Sequence, residues 1–297
     1  MKSNSLKFVY LISKNILIVL GTISIVFWLI FNGWEPSILS QTVKEINTNL
    51  FNNHALEIFG DTYGIVSLIA AIIGILTAIG WGLLKSKLGN ALFYISIGLL
   101  FQFLGQLVAL YYTFVLGVEL PYPSWAELFY FTSIPIYIIG IVFLMSACGL
   151  TKDFFNKSIN MLSFLVLITT FLSLDYILFL KDYDPSDYPN IAVMLDYAYP
   201  ILQSIQVSLV IFTYFASLKQ LGGKLKTPVI FLMLGLYAQY LGDTLYTYFI
   251  YQETWRQGDI TDFLYLSSYL LLGISFIKFN KVYLELTSKK NATSSRQ

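Results

Sequence analysis

Across 297 residues the chain is 57% hydrophobic and only 12% charged, with a mean hydropathy of +0.69. Soluble domains carry about 25% charged residues, so a water-soluble globular domain is excluded and the natural solvent is a lipid bilayer. The net charge of +1 comes without a basic run longer than two residues, which argues against nucleic acid. The single cysteine, Cys148, excludes an intrachain disulfide and a cysteine-built zinc site, and the single histidine, His54, leaves no histidine cluster for a metal.

In chain order, Lys2, Lys7 and Lys14 precede an apolar run, Ile16 to Phe31, that is too long for a signal peptide and lacks a small-residue cleavage site. It reads as an uncleaved anchor. A membrane helix needs about 20 apolar residues, and eight segments qualify: roughly 10–32, 62–84, 90–116, 125–149, 158–180, 194–218, 228–251 and 260–280. Polar turns separate them, among them Pro121-Tyr-Pro123-Ser124 and Asp182-Tyr-Asp184-Pro185. The third and fourth spans are joined by a short loop, as are the seventh and eighth, so each pair is expected as an antiparallel hairpin. The first loop, about 33–60, has Leu39, Val43, Ile46 and Leu50 on one helical face. That spacing predicts an amphipathic helix at about 37–52, lying on the outer leaflet or capping the bundle. The segment 281–297 reads as a short polar cytoplasmic tail.

With eight spans, both termini and three alternate loops share one side, and that side holds fifteen of the eighteen lysines and arginines; only Lys44, Lys181 and Arg256 fall opposite. The positive-inside rule then predicts both termini in the cytoplasm of a multi-pass protein of the cell membrane. Of the acidic residues, only Asp153 and Glu285 lie on the basic side. The acids opposite are either simply kept off the basic side or form a negative funnel for ions.

The chain carries an internal repeat. Gln102, Leu104 and Gly105 recur as Gln239, Leu241 and Gly242, while Glu127, Tyr130 and Ser133 recur as Asp262, Tyr265 and Ser268. Two four-span halves follow, about 10–150 and 158–280, and an even number of spans per unit makes the repeat parallel. The fold class is therefore an all-α integral membrane protein of eight transmembrane helices in a 4+4 arrangement, as a single membrane domain.

Within the repeat, Gln102 and Gln106 on the third span, and Gln239 and Asp243 on the seventh, are each four residues apart and share a helical face. Asp243 is costly to expose to lipid, about 2.5–3.5 kcal/mol on insertion scales. It is expected to face the interior and to pair with Gln106, a tyrosine or water. Two readings stand: hydrogen-bonded helix packing, or a ligand- or ion-binding pocket between the halves lined by Gln102, Gln106, Gln239, Asp243 and Tyr246. Asp175, near the outer end of the fifth span, is a further candidate, and Gln203 and Gln206 suit either arrangement. Pro135 and Pro200 are candidate kinks. Ser124 and Asp259 look like N-caps, and Glu127 and Asp262, in the first turns they open, look like dipole-complementing acids. No catalytic or metal-binding constellation stands out, an enzyme is not expected, and no cofactor is indicated.

The block Pro121-Tyr-Pro-Ser-Trp-Ala-Glu-Leu-Phe-Tyr130, continuing to Pro135 and Gly140, resembles the multi-span regions N-terminal to GGDEF/EAL domains in bacteria and PAS–histidine kinase modules in archaea. Gly242-Asp243 through Asp262-Phe-Leu-Tyr265 to Gly273 is similar to the later half of the same regions. The resemblance covers roughly 60–280 and implies a membrane sensory module. No output domain follows the last span, so signalling would run through a membrane or cytoplasmic partner protein. The alternatives are a small secondary transporter or channel, and an accessory subunit of a membrane complex.

Overall fold

The structure is a computed structural model that describes residues 2–32, 58–118, 120–150, 156–218 and 220–294. Its described residues are helical with no strand, and eight helices are long and apolar enough to cross a bilayer. They are α1 (Lys2–Asn32), α2 (Ile65–Gly80, entered through a turn of helix at 58–62), α3 (Lys87–Leu110), α4 (Trp125–Ala147), α5 (Ser158–Asp175), α6 (Asn190–Ser217), α7 (Lys226–Tyr251) and α8 (Ile260–Ser294). Wider π-helical turns extend α3 over Tyr111–Leu116 and α5 over Tyr176–Leu180. The apolar spans run from 21 residues to 30, about 32–45 Å at 1.5 Å per residue, which covers roughly 30 Å of hydrocarbon.

Six helices close a ring in the order α2, α3, α4, α6, α7, α8 and back to α2. The two short-loop pairs, α3–α4 and α7–α8, are the most intimate contacts, as the loop lengths predicted. Helices α1 and α5 stand outside the ring. The first lies against α2 and α8; the second lies against α6, with its π-helical extension on α7. Their outer faces carry Ile16, Val19 and Ile23 on α1 and Ile159, Leu162 and Val166 on α5, all exposed. Such surface is stable only against lipid.

Small residues let the ring close. A Cβ on Gly74 of α2 would fall 2.1 Å from Ser96 Oγ and 2.6 Å from the Phe276 ring, so α2 sits wedged between α3 and α8, a helix contact of the kind membranes favour. Its neighbours Ala70, Ala71 and Ala78 are buried with it. Pro135 and Pro200 both lie inside continuous helices.

The two ends of the bundle differ in charge. One end gathers the loop residues 117–118, 120–124, 181–189 and 252–259 with Asp61, Glu127, Asp196, Asp259 and Asp262 close by; we call it the acidic end. Trp28 Nε1 donates to Gly258 O there at 3.0 Å, tying α1 to the α7–α8 loop, and the Tyr251 hydroxyl donates to Asp182 O. The other end carries Lys85, Lys87, Lys226 and Lys281 and the Lys224–Glu285 ion pair at 2.7 Å. Helix α8 continues to Ser294, through most of the stretch that the sequence suggested was a tail. The amphipathic helix expected at 37–52, with Lys44 and His54, lies outside the described residues.

Candidate functional site

The polar notch forms on the inner faces of the ring. Gly105 and Gly242 create the room for it: a Cβ at either position would fall 2.4 Å from the Tyr130 ring or 2.9 Å from the Tyr265 ring. The missing side chain lets each tyrosine lie across its partner helix and carry its hydroxyl one residue further. Tyr130 donates to Gln106 Oε1 at 3.3 Å, and Tyr265 donates to Asp243 Oδ1 at 2.6 Å. The shorter bond has an ionisable acceptor, as charge-assisted bonds do.

The remaining notch residues then separate. Gln106 donates to the Gly60 carbonyl on the entry to α2 at 3.2 Å. Gln102, one turn deeper, donates to Ser133 Oγ at 2.7 Å and accepts from the Tyr269 hydroxyl at 3.2 Å. Asp243 Oδ2 accepts from Gln203 of α6. Of the partners expected for Asp243, Gln106, a tyrosine or water, the structure shows a tyrosine, Tyr265, and adds Gln203; each side chain is held by the helices flanking its own span. Among the described residues no lysine or arginine pairs with Asp243.

Asp175 is not part of this set. Its carboxylate is 3% exposed and accepts from Thr244 Oγ1 at 2.8 Å, with the Tyr240 hydroxyl alongside. Thr244 follows Asp243 directly and so faces about 100° away around α7, towards α5 rather than the ring interior. Although it lies near the outer end of its span, Asp175 is buried against α7. The Tyr246 ring packs edge-on against Trp255 at 5.5 Å between centroids.

At the acidic end the caps divide. Ser124 Oγ accepts from Ala126 N at 3.1 Å, and Asp259 Oδ1 accepts from Thr261 N at 2.7 Å, as capping residues do. Asp262 reaches back to Gly258 N at 2.6 Å and is also hydrogen-bonded to Tyr63. Glu127 lies in the first turn of α4 as expected, and its Oε2 also accepts from the Tyr199 hydroxyl of α6 at 2.6 Å. Ser124 already serves the first-turn amide, which leaves the Glu127 side chain, on the inner face, to bridge α4 and α6. Three further bonds join loops to helices. Gln257 donates to Asp61 at 2.7 Å, and Asp196 accepts from Tyr122 at 2.6 Å and from Tyr183 at 2.5 Å.

Tyr130, Tyr265, Tyr269, Tyr199 and Tyr63 thus belong to the site, where sequence reasoning names only Tyr246. The recurrence of Tyr130 as Tyr265, in step with the notch, was the signal that could have found two of them. Among the described residues no three His, Cys, Asp or Glu side chains gather in a way that would hold a metal ion. Compared with family models, curated proteins and solved structures, the chain matches none. The functional reading therefore rests on this geometry and on the sequence.

Proposed function

We propose that the chain is a membrane-embedded sensory module in which a small ligand or ion, bound between two four-helix halves, alters their packing, and a partner protein reads the change. The observation that carries this is the repeated tyrosine contact, Tyr130 on Gln106 and Tyr265 on Asp243, set in halves that are tied to one another by polar bonds. Gln257 on Asp61 and Tyr122 on Asp196 are counterparts in the two copies, 135 residues apart at both ends. Tyr63 with Asp262 and Tyr199 with Glu127 form a second pair, 136 residues apart at the tyrosines and 135 at the acids. The packing of α2 on α8 and of α4 on α6 has the same relation. These correspondences support the parallel 4+4 repeat with the notch at its centre, and the resemblance to sensory membrane regions supports the signalling role. The lysine-rich end supports cytoplasmic termini in the cell membrane.

The test is native mass spectrometry of the chain released from native-lipid nanodiscs. Wild type is expected to retain a bound small molecule or ion that Gln106→Ala/Asp243→Asn loses. Identical masses, with identical thermal stability, would overturn the reading. A second reading, a small transporter or channel, is favoured by one feature, the carboxylate of Asp243 inside a span without a basic partner. Solute or ion flux in proteoliposomes that Asp243→Asn abolishes would select it.

A further inference from the structure

The α3–α4 and α7–α8 pairs are built alike around the notch but differ in one layer. In the first, Gln102 and Ser133 are bonded. In the second, Gly242 lies against Tyr265, and Gly235 lies against Leu272 and the Ser268 carbonyl. This registers Gln239 opposite Ser268. Yet Gln239 Oε1 and Ser268 Oγ have no hydrogen-bond partner, at 2% and 0% exposure. On α6, Gln206 Oε1 is likewise unpartnered at 2% exposure, and so is the Tyr137 hydroxyl of α4 at 0%, within electrostatic reach of Asp243.

These oxygens occupy one level. Gln206, Gln239 and Ser268 are each one turn from a member of the Gln203–Asp243–Tyr265 triad. Because α7 runs antiparallel to α6 and α8, all three steps lead the same way, towards the basic end. Buried oxygens without partners are unfavourable; Asp175 Oδ2, Ser204 Oγ and Ser208 Oγ are further ones among the described residues, and those one turn from Asp243 are placed to bind a ligand together with its carboxylate. The two bonds that Asp243 accepts leave lone pairs on both of its oxygens.

We infer that Asp243 with Gln206, Gln239, Ser268 and Tyr137 forms a binding site for one monovalent metal cation, sodium or one of similar size. The inference deepens, and rests on, the proposed binding between the halves. Every available group is a hard oxygen donor, which suits alkali and alkaline-earth ions. One carboxylate balances one positive charge, whereas a divalent ion would leave an uncompensated charge in a low-dielectric interior. Glu127 and Asp175 lie within electrostatic reach of Asp243 but direct their carboxylates to Tyr199 and Thr244, so neither belongs to this donor set. Midway along a span is also where coupling ions bind in repeat-built membrane proteins.

The test is the unfolding temperature of the purified chain in nanodiscs, with sodium chloride exchanged for N-methyl-D-glucamine chloride at fixed ionic strength and pH. Sodium is expected to raise the wild-type midpoint saturably, and Asp243→Asn to abolish the rise. Ser268→Ala guards against a variant that merely misfolds. It removes an unpaired oxygen, so it should be at least as stable as wild type without sodium, less stable with it, and weaker in apparent sodium affinity by about tenfold or more. Equal midpoints in both salts, a dependence on pH alone through protonation of Asp243, or stabilisation by Ser268→Ala in both salts would each overturn the site. An organic adduct in the mass spectrum without sodium dependence would overturn the cation and leave the binding reading standing; neither adduct nor sodium dependence would overturn both.

Discussion

The two glycines beside the tyrosines set the geometry of the notch, and they are its most exacting residues. Gly105→Ala drives a methyl into the Tyr130 ring at 2.4 Å and Gly242→Ala does so at 2.9 Å from Tyr265. Each should cost about 1–3 kcal/mol, with the larger loss at Gly105, as overpacking does. Unfolding in detergent measures both, and two neutral variants would show that the tyrosines do not lie where the notch requires. In the loops, burial and the hydrogen bonds to Asp196 hold the Tyr122 and Tyr183 hydroxyls above the ordinary tyrosine range. A raised folded value keeps their contribution intact below about pH 10 and removes it only as pH climbs through that value. Tyr122→Phe should therefore carry the same penalty, about 1 kcal/mol, at pH 6 and pH 9. Asp184 is shifted the other way by the Ser186 amide and hydroxyl, so its effect is present above the ordinary carboxylate range and fades as pH falls. At this scale Gln102, Gln106, Gln239 and Asp243 were legible, because a polar residue in an apolar span is conspicuous. Their tyrosine partners were not, since tyrosine is common at membrane interfaces and only the fold says which hydroxyls turn inward.

At the scale of elements, periodicity and length were enough to find all eight helices, because a bilayer demands a long apolar run from each. The sequence could not say that α1 and α5 stand outside the ring, as they are about as long and as apolar as the spans within it. Nor could it foresee that Glu127, in a first turn where acids serve the dipole, would also bond across to Tyr199 of α6. The distinction is measurable. Ser124→Ala should cost about 1 kcal/mol through the lost cap. Glu127→Ala and Tyr199→Phe should instead couple in a double-mutant cycle by about 0.5–3 kcal/mol; strict additivity would return Glu127 to a capping role. Behind α7, Thr244→Val should destabilise through Asp175 by about 0.6–1.7 kcal/mol, the range for such bonds inside membranes, without altering the notch.

For the whole molecule, the segregation of charge between the two ends is the strongest large-scale pattern, and it was readable from the chain alone. The proposed cytoplasmic termini predict that a cysteine placed at Tyr122 reacts with an impermeant maleimide on intact cells, and one placed at Lys224 only after lysis; the reverse pattern would invert the topology. What the sequence left open is whether the notch is packing or a site. The first copy closes on itself through Gln102 and Ser133, while the second leaves Gln239 and Ser268 unpaired beside Asp243. That difference is visible to a high-resolution electron cryomicroscopy map of the chain in lipid nanodiscs, held by a rigid antibody fragment. The account predicts a compact non-protein density bounded by Asp243, Gln206, Gln239 and Ser268. A map in which the Gln239 amide bonds directly to the Ser268 hydroxyl, closing the second copy like the first, would contradict it.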